Sequence, residues 1–471
     1  MSTATLAAPP APLARTGRRG RVAGLTWHLS RPGTQSVATI ALPATAFAVT
    51  TALLLIVAGG ALMFWQWPSD GAGTVEIYRV LSVFALALLA VPLLSLGGSA
   101  ARLSARRRDD RLATLRLLGA TPGFVTVMTV LESTVVAIIG SLAGIVLYLA
   151  LMPVVGLIPF LGQAIGAGSL WVGPWILFVV VAGVAVVAAL SAAVGLRRVN
   201  ISPLGVRTKQ EAPRMKWTRA LIAVAVVGIG AAALSQLGMF GQYGGVVVMM
   251  LVLAAVFAAG IGVLGIIGPW LIGVHARRQV KHAKDASHLI SARTVLESPK
   301  AAWRQVGGIA MTTFIAVIGG SGMAFAGALG GTDMSGPEAY LATDIRTGVL
   351  ITLVVSFLMV ACSVGVNQAA TILDRRSVLV ASDRMGMSRT TMESARVRAT
   401  MSPLLFTMIV AALAGVMLVF PVVGMAMIVA PLSILVIAIC LAGGVALVRL
   451  ALVATGPVLT RVLSQPERAA E

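Results

Sequence analysis

Charge is what this chain has least of. Asp, Glu, Lys and Arg make up only 11% of its residues, against about 25% in an ordinary soluble domain. Cysteine is scarce as well: Cys362 and Cys440 are the only two, both inside apolar runs. They read as small hydrophobes, which excludes a disulfide framework and a thiolate metal centre. His28, His275, His282 and His288 are the only histidines, and no Cys or carboxylate cluster accompanies them; no metal site is expected. No G-x-x-x-x-G-K-[ST] stretch occurs, so the chain cannot hold ATP through a P-loop. Neither a nucleophile elbow nor H-E-x-x-H occurs, so no catalytic residue and no enzyme activity is expected. The first 21 residues are Ala- and Pro-rich and end in Arg15, Arg18, Arg19 and Arg21. No apolar h-region follows directly, so they read as a basic cytoplasmic tail and not as a cleaved signal.

What is abundant is apolar sequence, 58% of the chain. About 20 apolar residues span a bilayer core. Ten runs of that kind are expected, at about 36–65, 78–100, 124–153, 174–196, 219–237, 244–274, 306–328, 347–368, 402–425 and 430–456. The fold class is therefore an all-α polytopic membrane protein. The net charge of +20 would suggest nucleic acid in a soluble protein. Here the basic residues cluster in alternate connections: Arg102 to Arg116, Arg197 to Arg219, Arg277 to Arg304 and Arg375 to Arg398. That is the positive-inside pattern, with attraction to anionic lipid and both termini in the cytoplasm. The other connections are nearly free of Lys and Arg and carry Asp70, Glu76, Asp333, Glu338 and Asp344. Trp65, Trp67, Trp171 and Trp175 fall at outer ends; Trp27, Trp217, Trp270 and Trp303 fall at inner ends.

One charged stretch between runs organises the chain, Arg106 to Pro122. Leu112, Leu115 and Leu118 recur every three residues on one face, with Arg108, Arg111 and Arg116 off it. Gly119 can take the left-handed conformation that stops a helix, and Thr121-Pro122 reads as an N-cap and first turn of the next helix. The result is a stiff elbow of two helices at a membrane surface. Such an elbow either anchors a loop or receives a docked partner.

A shift of 267 residues reveals a repeat. Pro32 matches Pro299, Arg79 matches Arg346, Gly98 matches Gly365, Arg108 matches Arg375, Leu112 matches Leu379, and Gly119 matches Gly386. The second elbow runs from Asp374 to Ser388 and includes Met385. The expected organisation is a tail at 1–21, a four-span repeat at 22–200, linkers with spans five and six at 201–288, a second four-span repeat at 289–466, and a tail at 467–471. Four spans per copy makes the copies parallel, about an axis along the membrane normal, with both elbows on the cytoplasmic side. Arg79 and Arg346 are the only basic residues expected on the outer side. Each has a local acidic neighbour, Glu76 or Asp344, and the pair could instead meet an anionic group of a substrate or partner.

The spans carry almost no ionisable residues, apart from Glu132 and Arg449 near their ends. Ion-coupled transporters need such groups or broken helices at the midplane, so the energy source is expected in a partner.

The Leu115-Arg116-Leu117-Leu118-Gly119-Ala120 turn, set between a basic segment and a long span, resembles the FtsX-like permease family, which includes the MacB, lipoprotein-releasing and Bce-type permeases. The resemblance covers both repeats, and the ten-span layout is similar to the Bce-type proteins. It implies a membrane permease subunit of an ATP-driven ABC complex in a bacterial cytoplasmic membrane. It implies two copies of a separate cytoplasmic ATPase, which would hold ATP and Mg while this chain holds no cofactor. The coupling residues it implies are Arg108, Leu112, Leu115, Arg116, Leu118 and Gly119, and Arg375, Leu379, Met385 and Gly386. This sequence departs from the family pattern at Arg111 and Val378, where members carry an acidic residue, and it has no large extracytoplasmic domain. The expected function is export or extraction of a hydrophobic or amphipathic compound, such as an antibiotic, a peptide or a lipid. The alternative is a transmitter that relays ATPase motion to an extracytoplasmic enzyme or sensor. Membrane lipid is an expected partner, an extracytoplasmic protein a further candidate, and nucleic acid is not expected.

Overall fold

In the computed structural model, the structure describes residues 37–68, 74–83, 85–87, 89, 122–200, 218–329, 338–420, 424 and 431–464. The first elbow up to residue 121, both tails, most of the expected second span and the linker at 201–217 lie outside them. The chain divides into two units, Met1–Ala41 and Leu42–Glu471, and the packed core belongs to the second.

The elements are helical with one short exception. Helix α1 is Val37–Gln66, α2 is 74–83, α3 is Pro122–Val155 and α4 is Gly173–Asn200. Between α3 and α4 a two-residue hairpin pairs β1, Pro159–Phe160, antiparallel with β2, Gln163–Ala164. Then come α5 (Thr218–Ser235), α6 (Leu237–Lys281), α7 (Ala286–Glu297), α8 (Pro299–Leu329) and α9 (Glu338–Asp374). The last four are α10 (Arg376–Arg384), α11 (Arg389–Leu418), α12 (Pro431–Ala454) and α13 (Gly456–Ser464). Eight helices among the described residues are long and apolar enough to cross a membrane. This is an all-α polytopic membrane protein. The expected second span falls mostly outside the described residues. The expected fifth is α5, whose apolar part is only Leu221–Ser235; its 18 residues rise about 27 Å, short of a bilayer core of about 30 Å. The ten-span count is not reproduced among the described residues.

The helix starts follow local chemistry. Pro122 opens α3, where its missing N–H costs nothing. Ser388 caps α11, its hydroxyl accepting the N–H of Thr391 at 3.2 Å. These two helices begin 389 − 122 = 267 residues apart, and their burial follows the same offset. In α3 the buried positions include Ser133, Val136, Ala137, Gly140, Gly144 and Tyr148; in α11 they include Thr400, Pro403, Leu404, Thr407, Ala411 and Gly415. Ile138, Leu142 and Val146 are exposed in the first, and Leu405, Ile409 and Leu413 in the second. Exposed apolar stripes of this kind suit a helix whose outer face meets lipid.

The two largest core clusters among the described residues both draw on α9. Its Val355, Met359 and Val366 pack with Phe47 of α1, Ala137 of α3 and Ala188 of α4. Its Phe357, Val360 and Val364 pack with Phe314 of α8, Leu404 of α11 and Val448 of α12. A helix apolar on opposite faces must be covered on both, so α9 joins the first-half helices to the second-half helices. Close approach between helices rests on small residues. A Cβ on Gly140 would stand 2.7 Å from the carbonyl oxygen of Ala44, and one on Gly144 2.6 Å from that of Ala48. The Gly140-x-x-x-Gly144 spacing thus lets α3 lie directly on the backbone of α1. Gly268 of α6 receives the ring of Trp303 in the same way. Trp303, read from sequence as an inner-interface anchor, is buried in the core, because a flat glycine surface is available to it.

Candidate functional site

The second elbow is the candidate site. Gly386 has φ +87, and the N–H of Met387 bonds the carbonyl of Ser382 at 3.1 Å while that of Gly386 bonds Asp383 at 2.9 Å. This is a left-handed helix stop, the conformation read from sequence for Gly119, whose match at the 267-residue offset is Gly386. Replacing it with Val should cost about 1–2 kcal/mol, the left-handed penalty for a residue with a Cβ. Thermal unfolding of Gly386→Val against wild type checks this.

One face of α10 is turned toward its own chain. Leu379 and Val380 are half-buried and pack, with Met387, on Ile372, Met392 and the Leu459, Val462 and Leu463 face of α13. Leu379, expected as a coupling residue, therefore braces the elbow from inside. The outward face carries Val378, 62% exposed, Ala381, also exposed, and Met385, 79% exposed. These stand at i, i+3 and i+7, one continuous stripe along the helix. Arg375 and Arg384, both exposed, flank it.

The platform under α10 is stiff. Arg396 of α11 bonds both carboxylate oxygens of Glu393, the Thr455 hydroxyl at 2.6 Å and the Leu452 carbonyl at 2.9 Å. This fixes α11 to the end of α12. Arg398 donates to Ser287 of α7 at 2.8 Å. Arg375 pairs with Glu297 of α7 at 3.2 Å; both side chains are well exposed, so the pair contributes about 0–1 kcal/mol. An apolar stripe on a braced, basic helix can bind and be pushed.

Of the other expected site residues, Arg108, Leu112, Leu115, Arg116, Leu118 and Gly119 lie outside the described residues. Arg79 spends its donors on its own chain: Glu76 at 3.1 Å, the Trp67 carbonyl at 2.7 Å and the Phe64 carbonyl at 3.4 Å. Arg346 is exposed. Asp344, expected as its local partner in a loop, is instead 2% exposed and turned away from it. The reason is that α9 starts at Glu338, nine residues before the span at 347 expected from the apolar run, which draws Asp344 into the packed part of the helix.

Residues 82–203 match the model of the FtsX-like permease C-terminal domain. That stretch is similar to an FtsX-like permease domain. No curated protein and no solved structure matches the chain. The FtsX-like domain takes in the first elbow together with α3 and α4. It marks a membrane subunit of ABC-type transporters, and FtsX-like permeases generally partner with cytoplasmic ABC ATPases. The second elbow lies beyond the matched FtsX-like residues, at the 267-residue offset from the first.

Sequence reading did not group Val378 and Ala381 with Met385 as one exposed stripe. Their spacing to Met385 was readable. The wheel of α10, however, also carries Leu379 and Val380, and nothing local says which apolar stripe α13 covers.

Proposed function

We propose that the chain is the permease subunit of an ATP-driven complex that exports or extracts a hydrophobic or amphipathic compound, with ATP hydrolysed by a separately encoded ATPase. The observation that carries this is the stripe of Val378, Ala381 and Met385, left open on a braced basic helix. It fits a groove on a soluble partner, and an FtsX-like permease domain in the same chain makes an ABC ATPase the fitting occupant. The basic elbows then face the cytoplasm of a bacterial cell, with both termini on that side. The lack of a P-loop anywhere in the sequence supports an ATPase on another chain. Two elbows per chain, against two equivalent grooves of an ATPase dimer, support a complex of one permease with two ATPases.

Native mass spectrometry of the complex purified with its ATPase is expected to show that composition. Two permease chains per ATPase pair would overturn the proposal that the internal repeat replaces a dimer. ATPase activity in nanodiscs should rise with amphipathic substrate. A rate indifferent to every such compound, yet changed by an added outer-surface protein, would favour a mechanical transmitter.

A further inference from the structure

The end of α9 remote from α10 holds a junction of three segments. The Asp344 carboxylate accepts two hydrogen bonds through one oxygen, from the Tyr78 hydroxyl at 2.7 Å and from the Leu161 backbone N–H at 2.9 Å. Tyr78 belongs to α2, in the first half of the chain; Asp344 belongs to α9, in the second; Leu161 is the tip of the β1–β2 hairpin. Leu161 has φ +51, the one non-glycine residue with positive φ among the described residues, and Gly162 beside it has φ +77. A leucine is held in that conformation only where its surroundings over-determine it, and here the bond to Asp344 does so. The turn also lies on the ring of Tyr340 of α9, which a Cβ on Gly162 would meet at 2.7 Å.

Aromatic packing surrounds the pin. Phe64 of α1 stacks on Tyr78 with centroids 5.5 Å apart and meets Phe160 of β1 edge-on at 5.4 Å. Trp67 meets both Phe64 and Tyr78. So α1, α2, the hairpin and α9 are closed on one another by a buried carboxylate and a ring cluster. The repeat does not duplicate this chemistry. At the 267-residue offset, Asp344 corresponds to Ile77 and Tyr78 to Ile345.

From Asp344 to Asp374 helix α9 runs 31 residues, a rise of about 45 Å. Its far end passes at once into α10. One continuous helix, gripped on both faces by the core, thus carries the docking elbow at one end and the Asp344 junction at the other.

We propose that the Asp344–Tyr78–Leu161 junction is a one-sided latch closing the hairpin end of the helices, and that α9 transmits movement of α10 to it. The latch stands on geometry alone; its opening rests on the reading of α10 as the ATPase docking site. Buried bonds of this kind suit a latch because they are made or lost as a set when α9 tilts.

Hydrogen exchange read by mass spectrometry over residues 156–172 tests both parts. In the permease alone, in nanodiscs, Asp344→Ala is expected to speed exchange of this segment about tenfold or more while the rest of α9 keeps its protection. Tyr78→Phe, which leaves the Leu161 bond in place, should speed it less and serves if Asp344→Ala fails to fold. Unchanged exchange of the hairpin in a folded variant of either kind overturns the latch. With the ATPase bound and trapped with ATP and vanadate, wild-type hairpin exchange should rise. Hairpin protection that stays constant with the ATPase demonstrably bound overturns the opening step and leaves docking intact. Failure of the ATPase to bind at all overturns the docking reading, and with it the opening step, while the first arm still decides the latch.

Discussion

A permease carrying both Val378→Asp and Met385→Asp should reach the membrane in normal amount and lose its ATPase. The two side chains are mostly exposed, so the fold does not draw on them. Docking would bury them. Each buried apolar side chain of this size is worth about 1.5–3 kcal/mol, so removing two weakens docking by about 3–6 kcal/mol, roughly 100- to 10,000-fold at 1.4 kcal/mol per tenfold. A carboxylate placed in the same groove adds a desolvation cost of its own. Affinity purification of the variant, with the ATPase quantified against wild type, reads the effect. Full recovery of the ATPase would place the docking surface elsewhere. The first elbow gives a parallel variant. Met385 corresponds to Leu118 at the repeat offset, whereas Val378 corresponds to Arg111. Leu118→Asp, which removes one apolar side chain where the double variant removes two, should weaken docking less.

Gly140→Val with Gly144→Val should prevent α3 from seating on α1. The obstacle at each position is backbone: the carbonyl oxygens of Ala44 and Ala48 lie 2.7 Å and 2.6 Å from where a Cβ would stand. A flexible side chain could swing aside; a helix backbone cannot. Overpacking of this kind costs about 1–3 kcal/mol per site and occasionally more, so the pair should cost at least about 2–6 kcal/mol, enough to lower the melting temperature sharply or abolish monodisperse protein. The hydrogen bond between Thr51 and Ser141, 3.2 Å across the same seam, would go with it. Gly60→Ala is the matched control. It lies in α1 with nothing within 4 Å of an added Cβ, and it should be neutral or stabilising by up to about 1 kcal/mol, as a helical alanine replaces glycine. Wild-type melting behaviour in the Gly140/Gly144 variant would show that the two helices do not depend on this contact.

The elbow shows how far local reading reaches. The glycine stop at Gly386, the serine cap at Ser388 and the start of α3 at Pro122 are short-range events, written in adjacent residues. The face that α10 turns to α13 is not. Val378 and Leu379 are neighbours of similar polarity, and only the arrival of Leu459, Val462 and Leu463 from about 80 residues further along decides which is covered. Arg79 was legible for the same short-range reason, since Glu76 lies one helical turn before it.

By itself the sequence determined that this chain is helical, apolar and membrane-embedded, that it repeats at 267 residues, and that it has no P-loop with which to hold ATP. Composition, run length and residue spacing are enough for those conclusions, because spanning a bilayer demands continuous apolar helix and a repeat leaves its offset in every matched glycine, proline and arginine. Only the tertiary structure decided that Asp344 is a buried acceptor and not a loop carboxylate, that α9 is shared by both halves of the core, and that the hairpin tip is pinned to it. Each of those depends on groups brought together from distant parts of the chain, Tyr78 and Asp344 being 266 residues apart. No local pattern encodes such a meeting; packing does, once the helices lie side by side.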